Sequence, residues 1–522
     1  MAAPPVAGPR HMWNMSGMTD MIINRFRHLA DNRPDAPFLI HPDGASLSYG
    51  EAWRRCARMA NLFRSLGICP GDRIALQAEK SEASLLAYLA AMQVGAVFLP
   101  LNTAYTLNEV DYFLGDAAPA LLICRESDDA AMATLCSRHG IAHRLTLDAG
   151  GQGTLVLQSA DQDGEMEPAH RQADDLAAIL YTSGTTGRSK GAMLTQDNLA
   201  SNAEALAECW RFTAHDRLLH ALPIYHTHGL FVATNVCLWA GAAMIFVPQF
   251  HLDTLLRLMP DATTMMGVPT FYSRLLADPR FDEQLAGSVR LFISGSAPLS
   301  PETHRAFARR TGKLILERYG MTETSIITTN PHDGERKPGS VGLPLPGVSL
   351  RIADPETARV LSHGEVGVIE VRGPNVFPGY WQMPEKTAEE FRADGWFITG
   401  DLGHVDTDGY VHISGRAKDL IISGGLNIYP AEVEALIDAV PGVAESAVIG
   451  VPHADLGEAA VAVIRVSDSA LQEDAVLAAL APLLARFKQP RRVCIIDELP
   501  RNSMGKVQKK ALRERYAKLF AG

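Results

Sequence analysis

A stretch rich in glycine and hydroxyl side chains is the part of this sequence best suited to chemistry. It reads Thr182-Ser183-Gly184-Thr185-Thr186-Gly187-Arg188-Ser189-Lys190-Gly191. Glycines let the backbone approach a ligand closely, and hydroxyl and backbone N–H groups donate hydrogen bonds to phosphate oxygens. Arg188 and Lys190 would add charge-assisted hydrogen bonds. The stretch therefore predicts a loop that binds the phosphates of a nucleotide.

The residues before this loop support the prediction. Residues 176–181 form an apolar run with the length of a buried strand, so the loop would leave the end of a sheet, where open α/β sheets bind ligands. The Walker A motif is disfavoured, because it requires Gly-Lys-Ser/Thr, whereas Lys190 follows Ser189 and precedes Gly191. A flexible surface loop would explain the glycines and serines but not the preceding strand.

Composition restricts the number of domains and the partners. A chain of 522 residues exceeds the size at which one hydrophobic core stops growing, so we expect two or more domains. A formal net charge of −11 disfavours a nucleic-acid-binding protein, because such proteins need a basic surface. The cysteines show no Cys-x-x-Cys spacing, which predicts neither a disulfide framework nor a zinc site and favours a reducing, cytoplasmic compartment.

Two segments resemble targeting or membrane elements only superficially. The first 20 residues lack the continuous apolar core of a signal peptide, and residues 1–17 are expected to form a disordered extension. Residues 231–250 carry no charge over the length of a bilayer crossing, but Asn235, a glycine and a proline interrupt them. A buried helix followed by a strand over 243–247 is the better prediction, so no membrane partner is expected.

Alternation of strand-like and helical runs indicates the fold class. Residues 73–77 read as a strand, 81–94 as a helix and 96–101 as a strand, which predicts an α/β architecture with parallel sheets. Near Gly364 the pattern changes to short strands and turns, which predicts a small β-rich subdomain.

A compact α+β unit is expected after Arg416. Its predicted elements are a helix over 431–439, strands over 446–450 and 460–466, a helix over 473–487 and a basic helix from Lys506. We therefore expect an N-terminal domain over 18–417 and a small mobile C-terminal domain over 418–522, with the boundary near Lys418.

Five motifs in this chain resemble those of the adenylate-forming superfamily, which contains acyl-CoA synthetases, luciferases and the adenylation domains of peptide synthetases. The motifs are residues 181–194, 319–324 (Tyr-Gly-Met-Thr-Glu-Thr), 398–401 (Ile-Thr-Gly-Asp), 415–419 (Gly-Arg-Ala-Lys-Asp) and 500–506 (Pro-Arg-Asn-Ser-Met-Gly-Lys). They occur in the family's order and span nearly the whole chain.

The resemblance implies a ligation in two steps. A carboxylate attacks the α-phosphate of ATP to give an acyl-adenylate and pyrophosphate, and the CoA thiol then displaces AMP. Charge builds up on the α-phosphorus in the first step, and preorganised cations together with Mg²⁺ can stabilise it. The cofactors implied are thus ATP, Mg²⁺ and CoA as a cosubstrate.

The resemblance also implies roles for single residues on the nucleotide side. Thr185, Thr186 and Lys190 would hold the β- and γ-phosphates, Thr322 the α-phosphate and Glu323 the Mg²⁺ ion. Tyr319 would stack on adenine beside the Gly295-Ser296-Ala297 turn, and Asp401 would accept hydrogen bonds from the ribose, assisted by Arg416. Taken alone, Asp401 would also suit an ordinary turn. The complete ATP-binding set comprises Thr182, Ser183, Gly184, Thr185, Thr186, Gly187, Lys190, Gly295, Ser296, Ala297, Arg318, Tyr319, Thr322, Asp401, Arg416 and Lys506.

Lys506 is the residue expected to catalyse adenylation, together with Thr322 and Glu323, because a cation that bridges the carboxylate and the α-phosphate suits the reaction. Without its motif, Lys506 would read as one lysine of a solvated basic cluster. Lys418 matches the superfamily's hinge, about which the small domain rotates between the two steps. Ser423, Gly424 and Gly425 would then face the channel for CoA, although a plain β-turn also uses such glycines.

Three further segments resemble bacterial malonyl-CoA synthetases: residues 99–109, 221–230 and 291–298. Malonate is therefore the leading substrate and methylmalonate a secondary one, with a short monocarboxylic acid as the alternative. The second carboxylate of malonate is ionised near neutral pH, and burying it unpaired would cost several kcal/mol. A cation is expected at the end of the acid pocket.

Two arginines are candidates for that cation. Strand alternation places Arg290 on the same face as Phe292 and Ser294, although a charge at the entry of a strand could also lie at the surface. Arg305, in a helix that starts at Pro301, is the weaker candidate and could face water.

Histidines complete the predicted acid side. His226 is assigned to contact with the acid, with Ser294. His228 could equally be a hydrogen-bonded core residue. A metal site shared by the two histidines is disfavoured, because the sequence offers no third ligand.

Two other classes of protein stay open as alternatives. A luciferase-like or carrier-loading enzyme is disfavoured because no carrier-like segment is present before Gly522, and a silent binding module because the motifs are complete from Lys190 to Lys506. We expect small-molecule substrates, no nucleic acid, and a monomer or weak homo-oligomer.

Overall fold

A computed structural model describes residues 21–182, 189–423, 426–453, 456–468, 470–484, 486–502 and 505–520. The extension predicted over residues 1–17 lies outside the described residues. The first section of the described chain consists of α1 (Ile22–Asn32), β1 (Pro37–Ile40), β2 (Ser46–Ser48), α2 (Tyr49–Ser65), β3 (Arg73–Gln77), α3 (Glu82–Val94), β4 (Val97–Pro100), α4 (Leu107–Ala117), β5 (Leu121–Arg125), α5 (Asp129–His139), β6 (His143–Leu147), α6 (Thr154–Ser159), β7 (Leu176–Thr182) and β8 (Lys190–Thr195).

Strands β3 to β8 form a sheet in the order β6-β5-β3-β4-β7-β8, whereas β1 and β2 belong to a second sheet. The pairs from β6 to β7 are parallel and β7 pairs with β8 antiparallel, so the chain reverses at the predicted phosphate loop. Helix α3 begins where the Ser81 hydroxyl accepts a hydrogen bond from the Ser84 N–H and ends at Gly95, whose φ is 78°. The predicted strand–helix–strand unit over 73–101 is confirmed.

The second section builds a larger mixed sheet in the order β15-β14-β13-β12-β11-β9-β10-β1-β2, parallel from β1 through β10 to β13 and antiparallel at both ends. Its elements are α7 (Gln196–Cys209), β9 (Arg217–His220), a π-helix (His228–Thr234), α8 (Asn235–Ala240), β10 (Ala243–Phe246), α9 (Leu252–Leu258), β11 (Thr264–Gly267), α10 (Pro269–Ala277), β12 (Leu291–Ser294), α11 (Pro301–Thr311), β13 (Ile315–Met321), β14 (Ser325–Thr329) and β15 (Leu343–Pro344).

The apolar segment over 231–250 is a buried part of this second section. Its helical residues and β10 are buried against the main core, as the sequence predicts. Of the helices in the described ranges, none is long and apolar enough to cross a membrane.

The β-rich subdomain is an antiparallel sheet in the order β16-β17-β18-β19. It comprises β16 (Ser349–Ala353), β17 (Gly367–Arg372), α12 (Pro384–Glu389), β18 (Phe397–Val405) and β19 (Val411–Arg416). The predicted change of texture near Gly364 is confirmed.

A separate sheet follows in the order β21-β20-β23-β22, with β24 parallel to β23. It belongs to a set of elements consisting of β20 (Ile421–Ser423), β21 (Leu426–Ile428), α13 (Pro430–Ile437), β22 (Val443–His453), β23 (Gly457–Val466), α14 (Glu473–Leu480), β24 (Arg492–Ile495) and α15 (Lys509–Tyr516). The sheet has its own apolar clusters on its two faces. The α/β class with a small C-terminal domain is confirmed.

The bounds of two predicted helices differ from those in the structure. Helix α14 ends at Leu480, before the predicted end at Phe487. The last helix starts at Lys509 and not at Lys506, because Gly505 has a φ of 74° and the Lys506 N–H donates to the Asn502 side chain at 3.0 Å. Lys506 therefore lies in a loop.

Candidate nucleotide and acid site

Two neighbouring strands of the large sheet end at the same edge and carry predicted site residues. Ser294, the last residue of β12, pairs with Glu317 in β13. Beyond them lie the turn at residues 295–297 and the turn at residues 322–324. Because parallel strands end at a common edge, the two turns that were predicted to bind adenine and phosphate lie side by side.

On the nucleotide side, three polar groups are bonded to one another. The Tyr319 hydroxyl donates to one carboxylate oxygen of Asp401 at 2.5 Å, and Arg416 Nε lies 2.7 Å from the other oxygen. Asp401 and Arg416 are register partners on β18 and β19. Asp401 raises the pKa of the Arg416 guanidinium, and burial beside Asp401 raises the pKa of Tyr319, so the phenol stays a donor.

The turn after β12 is held by a histidine. Ser296 has a φ of 69°, a left-handed conformation that costs a residue other than glycine about 1 kcal/mol. Its hydroxyl lies 3.1 Å from Nδ1 of the buried His228. Any side chain at Gly295 would collide with the Arg318 guanidinium, which packs on the Gly295 backbone. Ala297, the last predicted residue of this turn, follows directly and is half-buried.

Around Glu323 the structure assembles a cluster that joins two carboxylates to a lysine. The Tyr380 hydroxyl lies 3.0 Å from Glu323 Oε1 and donates to Glu390 at 2.5 Å. Lys190 Nζ lies 2.8 Å from Glu390 and 4.0 Å from the centre of the Tyr380 ring. Burial raises the pKa of Glu323. Thr322, next to it, is half-buried.

The two stems of the predicted phosphate loop are fixed by helix α4. Thr182 pairs with Lys190 across β7 and β8. The Tyr112 hydroxyl donates to the Ser189 carbonyl at 2.9 Å, and the Tyr181 hydroxyl donates to Asp116. The remaining predicted loop residues, Ser183, Gly184, Thr185, Thr186 and Gly187, lie outside the described residues.

Arg318, which the resemblance assigns to ATP, is buried near His226, and no salt bridge to it occurs among the described residues. It is 5% exposed, and among the described residues its Nε and Nη2 have no hydrogen-bond partner. Burial lowers its pKa to about 9, which leaves it charged at neutral pH. The buried Ser294 hydroxyl also lacks a partner within the described chain.

The two histidines of this side are neutral. Burial and the neighbouring cations Lys506 and Arg318 lower the pKa of His226 to about 3. Burial and Arg318 also lower the pKa of His228, whose backbone N–H lies 3.4 Å from His226 Nδ1. The part of the chain that the structure describes holds no group of three potential metal ligands.

The structure does not bring Arg290 to this site. Its guanidinium donates to both carboxylate oxygens of Asp216, at 2.9 and 2.8 Å, and to the backbone carbonyls of Trp210 and Arg211. Arg290 precedes β12, and its backbone N–H donates to the carbonyl of Thr263. Arg290 and Ser294 therefore lie at opposite ends of the strand, about 13 Å apart along it. Alternation predicts which face a residue shares but not which end of the strand carries the site.

Arg305 also lies apart from the acid side. Its side chain is 60% exposed on α11 and lies 3.7 Å from Glu302, three residues earlier in the same helix. In this structure Arg305 faces water, which is the alternative that the sequence left open.

Lys506 reaches the cleft from the C-terminal part of the chain. Solvent reaches its side chain, but partial desolvation in the cleft and the neighbouring Arg416 lower its pKa to about 8, and Asp401 and Glu323 act in the opposite direction. Its ammonium group therefore lies within the electrostatic reach of both sides of the site.

The predicted hinge residue lies between two sheets. Lys418 is in a short 3₁₀ turn, Ala417–Asp419, between the end of β19 and the start of β20. Ser423 is buried at the end of β20. Gly424 and Gly425 lie outside the described residues. Their predicted roles stay predictions.

Sequence reasoning missed Tyr380 and Glu390. They contact Glu323 and Lys190 from positions 57 and 200 residues away in the sequence, so no local spacing could have indicated them. Only the folded chain brings these side chains together.

Two family models match this chain. Residues 26–381 match the AMP-binding enzyme family, and residues 432–506 match the AMP-binding enzyme C-terminal domain. The chain is 38% identical over 489 residues to a feruloyl-CoA synthase from Amycolatopsis sp., covering 92% of this chain and 96% of that protein. It is 34% identical over 523 residues to a malonate–CoA ligase from Arabidopsis thaliana, covering 91% and 85%.

Among solved structures, ATP-bound MatB from Rhodopseudomonas palustris is 54% identical and has a TM-score of 0.93 to this chain, covering 95% of this chain and 99% of MatB. The TM-score to the apo form of MatB is 0.83. The chain belongs to the AMP-binding enzyme family. It is an AMP-forming acid–thiol ligase, an adenylate-forming acyl-CoA ligase that uses ATP and CoA.

Proposed function

We propose that this ligase activates malonate and forms malonyl-CoA, with methylmalonate as a second substrate. The observation that carries the proposal is Arg318, a buried guanidinium near His226 of which two nitrogens have no hydrogen-bond partner among the described residues. An unpaired buried cation is costly unless an anion joins it. The resemblance in the sequence motifs placed Arg318 in the ATP-binding set, but its surroundings favour binding of the distal carboxylate of the acid.

The related proteins act on different acids, and they differ in how similar they are to this chain. This chain is 54% identical to MatB, 38% identical to the feruloyl-CoA synthase and 34% identical to the malonate–CoA ligase. An aromatic acid would leave Arg318 without an anionic partner, and a short monocarboxylate would do the same. The pocket chemistry therefore favours malonate over both.

In the proposed first step, Arg318 binds one carboxylate of malonate and orients the other towards the α-phosphate of ATP. Lys506 lies between the two reactants and stabilises the negative charge that develops as the new oxygen–phosphorus bond forms and pyrophosphate leaves. His226, which is neutral, can donate or accept a hydrogen bond without adding a charge. Tyr319, Asp401 and Arg416 hold the nucleoside.

Glu323 fits a magnesium ion that is held mainly by phosphate. Mg²⁺ in such sites takes one or two carboxylates together with phosphate oxygens and water, and Glu323 is a buried carboxylate whose neighbour Glu390 is joined to it through Tyr380. When bound, the ion would neutralise phosphate charge. Lys190, which belongs to the same cluster, would hold the outer phosphates.

In the proposed second step, the C-terminal domain turns about Lys418, which removes Lys506 and brings Ser423 towards the thiol of CoA. The higher TM-score to ATP-bound than to apo MatB supports the reading that this structure represents the arrangement for adenylation. The thiolate sulfur then forms a bond to the acyl carbon and AMP leaves.

The function is tested with purified enzyme, ATP, Mg²⁺ and CoA. AMP and the CoA thioester are measured with malonate, methylmalonate, acetate and propionate. We expect kcat/KM for malonate to exceed that for propionate by at least about 100-fold, since the lost charged hydrogen bonds are worth about 3 kcal/mol. Equal values for malonate and propionate would exclude the dicarboxylate pocket.

A further inference from the structure

Lys80 is a buried lysine outside the nucleotide motifs. It lies between β3 and α3 and is 8% exposed. Among the described residues, no carboxylate lies within ion-pair distance of it. A buried ammonium group without a counter-ion is costly, so its surroundings must stabilise it in another way.

Three acceptors and one aromatic ring surround this ammonium group. Lys80 Nζ donates to the backbone carbonyls of His220 at 2.7 Å and Leu222 at 3.0 Å, and it lies 3.1 Å from His220 Nδ1. The Phe246 ring centre is 4.3 Å away. Burial lowers the pKa of Lys80, whereas three acceptors that match the three N–H groups of the ammonium form and a cation–π contact with the ring favour the protonated state.

His220 continues the connection. Because Nδ1 accepts from Lys80, the proton of the neutral imidazole must be on Nε2, which lies 2.9 Å from the Gly229 carbonyl. Burial and the neighbouring Lys80 lower the pKa of His220, in agreement with a neutral ring. Lys80 and His220 thus fasten both ends of the loop over residues 221–228.

This loop carries the histidines of the acid side. Its far end is closed tightly, because a side chain at Gly229 would collide with the Pro223 carbonyl, and the Leu230 N–H donates to the His226 carbonyl at 2.9 Å. His228 in turn contacts the Ser296 hydroxyl in the turn after β12. A displacement of the loop would therefore move both imidazoles and this turn.

Lys80 also joins the two large sheets. It follows β3 in the sheet whose strand β7 leads into the phosphate loop, and it binds the end of β9 in the sheet that carries the acid side. We propose that Lys80 is a positioning residue for acid binding, which fixes the loop over residues 221–228 and so the imidazoles of His226 and His228. The proposal rests on the proposed function only in that these imidazoles face the acid.

The first test is Lys80→Met, which keeps an unbranched side chain only one heavy atom shorter and removes its hydrogen bonds. We expect the KM for the acid to rise about tenfold and the KM for ATP to rise much less, because the displaced loop itself carries the two histidines of the acid side and reaches the predicted adenine turn only through the contact between His228 and Ser296. Lys313→Met is the matched control. Lys313 also donates to two backbone carbonyls, of Gly287 and Val289, at 3.0 and 2.7 Å, but these residues precede β12 and β13 and so lie at the opposite end of the strands from Ser294. This control should lower Tm without changing either KM.

Two variants of His220 separate the links of the connection. His220→Asn keeps an acceptor near the position of Nδ1, and His220→Gln keeps a donor near the position of Nε2. Each variant should raise the acid KM. When either is combined with Lys80→Met, the effect on the acid KM should be smaller than the sum of the two single effects, since residues in one network are coupled. These variants decide the question if Lys80→Met does not fold.

The outcome is distinguishable from failure of the proposed function, because the acid used is whichever one the wild-type enzyme activates best. A wild-type enzyme that prefers an acid other than malonate would overturn the proposed substrate and leave the Lys80 test intact. Lys80→Met with a lower Tm or kcat and an unchanged acid KM would show a purely structural role and overturn the inference.

Discussion

The two arginines of the site, Arg416 and Arg318, differ in whether a carboxylate neutralises their charge. Arg416, on the nucleotide side, lies 2.7 Å from Asp401, which also accepts from Tyr319. Arg318, on the acid side, is more deeply buried and has two nitrogens without partners in the described chain. A side that is already neutral suits the uncharged hydroxyls of a ribose, whereas an unpaired cation suits a ligand that brings its own negative charge.

Lys506→Ala would break the link between the two sides and should have the largest effect. We expect the adenylation rate to fall at least about 100-fold, the cost of removing one group that stabilises developing charge. Thioester formation from supplied malonyl-adenylate should continue. Pyrophosphate release and thioester formation are measured separately. Lys510→Ala is the control, since that side chain is 76% exposed. Equal loss of both steps would contradict the domain rotation.

Arg318→Gln would make the acid side neutral as well. We expect the KM for malonate to rise on the order of 100-fold, because charged hydrogen bonds worth about 3 kcal/mol are lost, and the KM for propionate to change little. Steady-state kinetics with both acids measure this difference. Arg305→Gln and Arg290→Gln are controls that should leave the malonate KM unchanged, although Arg290→Gln should lower Tm because it leaves the buried Asp216 without its counter-ion. A larger change in the KM for ATP than for malonate would show that Arg318 binds the nucleotide and not the acid.

Asp401→Asn would unbalance the nucleotide side by leaving Arg416 without its carboxylate. The KM for ATP should rise about tenfold, which corresponds to one hydrogen bond of about 1.4 kcal/mol, and the KM for malonate should not change. Discrimination between ATP and 2′-deoxy-ATP should shrink in the variant, as measured from kcat/KM. If the variant discriminates between ATP and 2′-deoxy-ATP as well as the wild-type enzyme does, Asp401 does not bind the ribose.

Lys506 predicts a graded loss of activity with pH. Its pKa is lowered from 10.5 to about 8, so the ammonium form is present below that pH and is lost as the pH rises through it. We expect kcat/KM for adenylation to fall towards tenfold per pH unit above about pH 8. Residual activity of Lys506→Arg should lack this decline, since arginine keeps its proton. A rate that is constant to pH 10 would disagree with the pKa shift.

Sequence alone could predict the nucleotide side because local motifs define it. Tyr319, Glu323, Asp401 and Lys506 each stand in a contiguous motif, and the strand before Lys190 has a clear apolar pattern. Strands and helices of the large domain follow from the same patterns, since burial on both faces produces continuous apolar runs.

The acid side could not be predicted in the same way. Arg290 was preferred because it shares a strand face with Ser294, but its partner Asp216 is 74 residues earlier in the sequence, and this pairing appears only in the folded chain. The burial of Arg318 likewise depends on the packing of Gly295 from the neighbouring strand. Pairing and burial of charges are long-range properties, and they decide which cation is available to a ligand.

The contact between Lys190 and Glu390 bears on how the products leave. If Lys190 grips the outer phosphates, as proposed, it must first give up an internal partner that lies 2.8 Å away. Departing pyrophosphate would then be replaced at once by a carboxylate of the enzyme, and no bare cation would be left behind in the pocket. Such an exchange weakens the hold on the leaving group at the moment when turnover requires its escape.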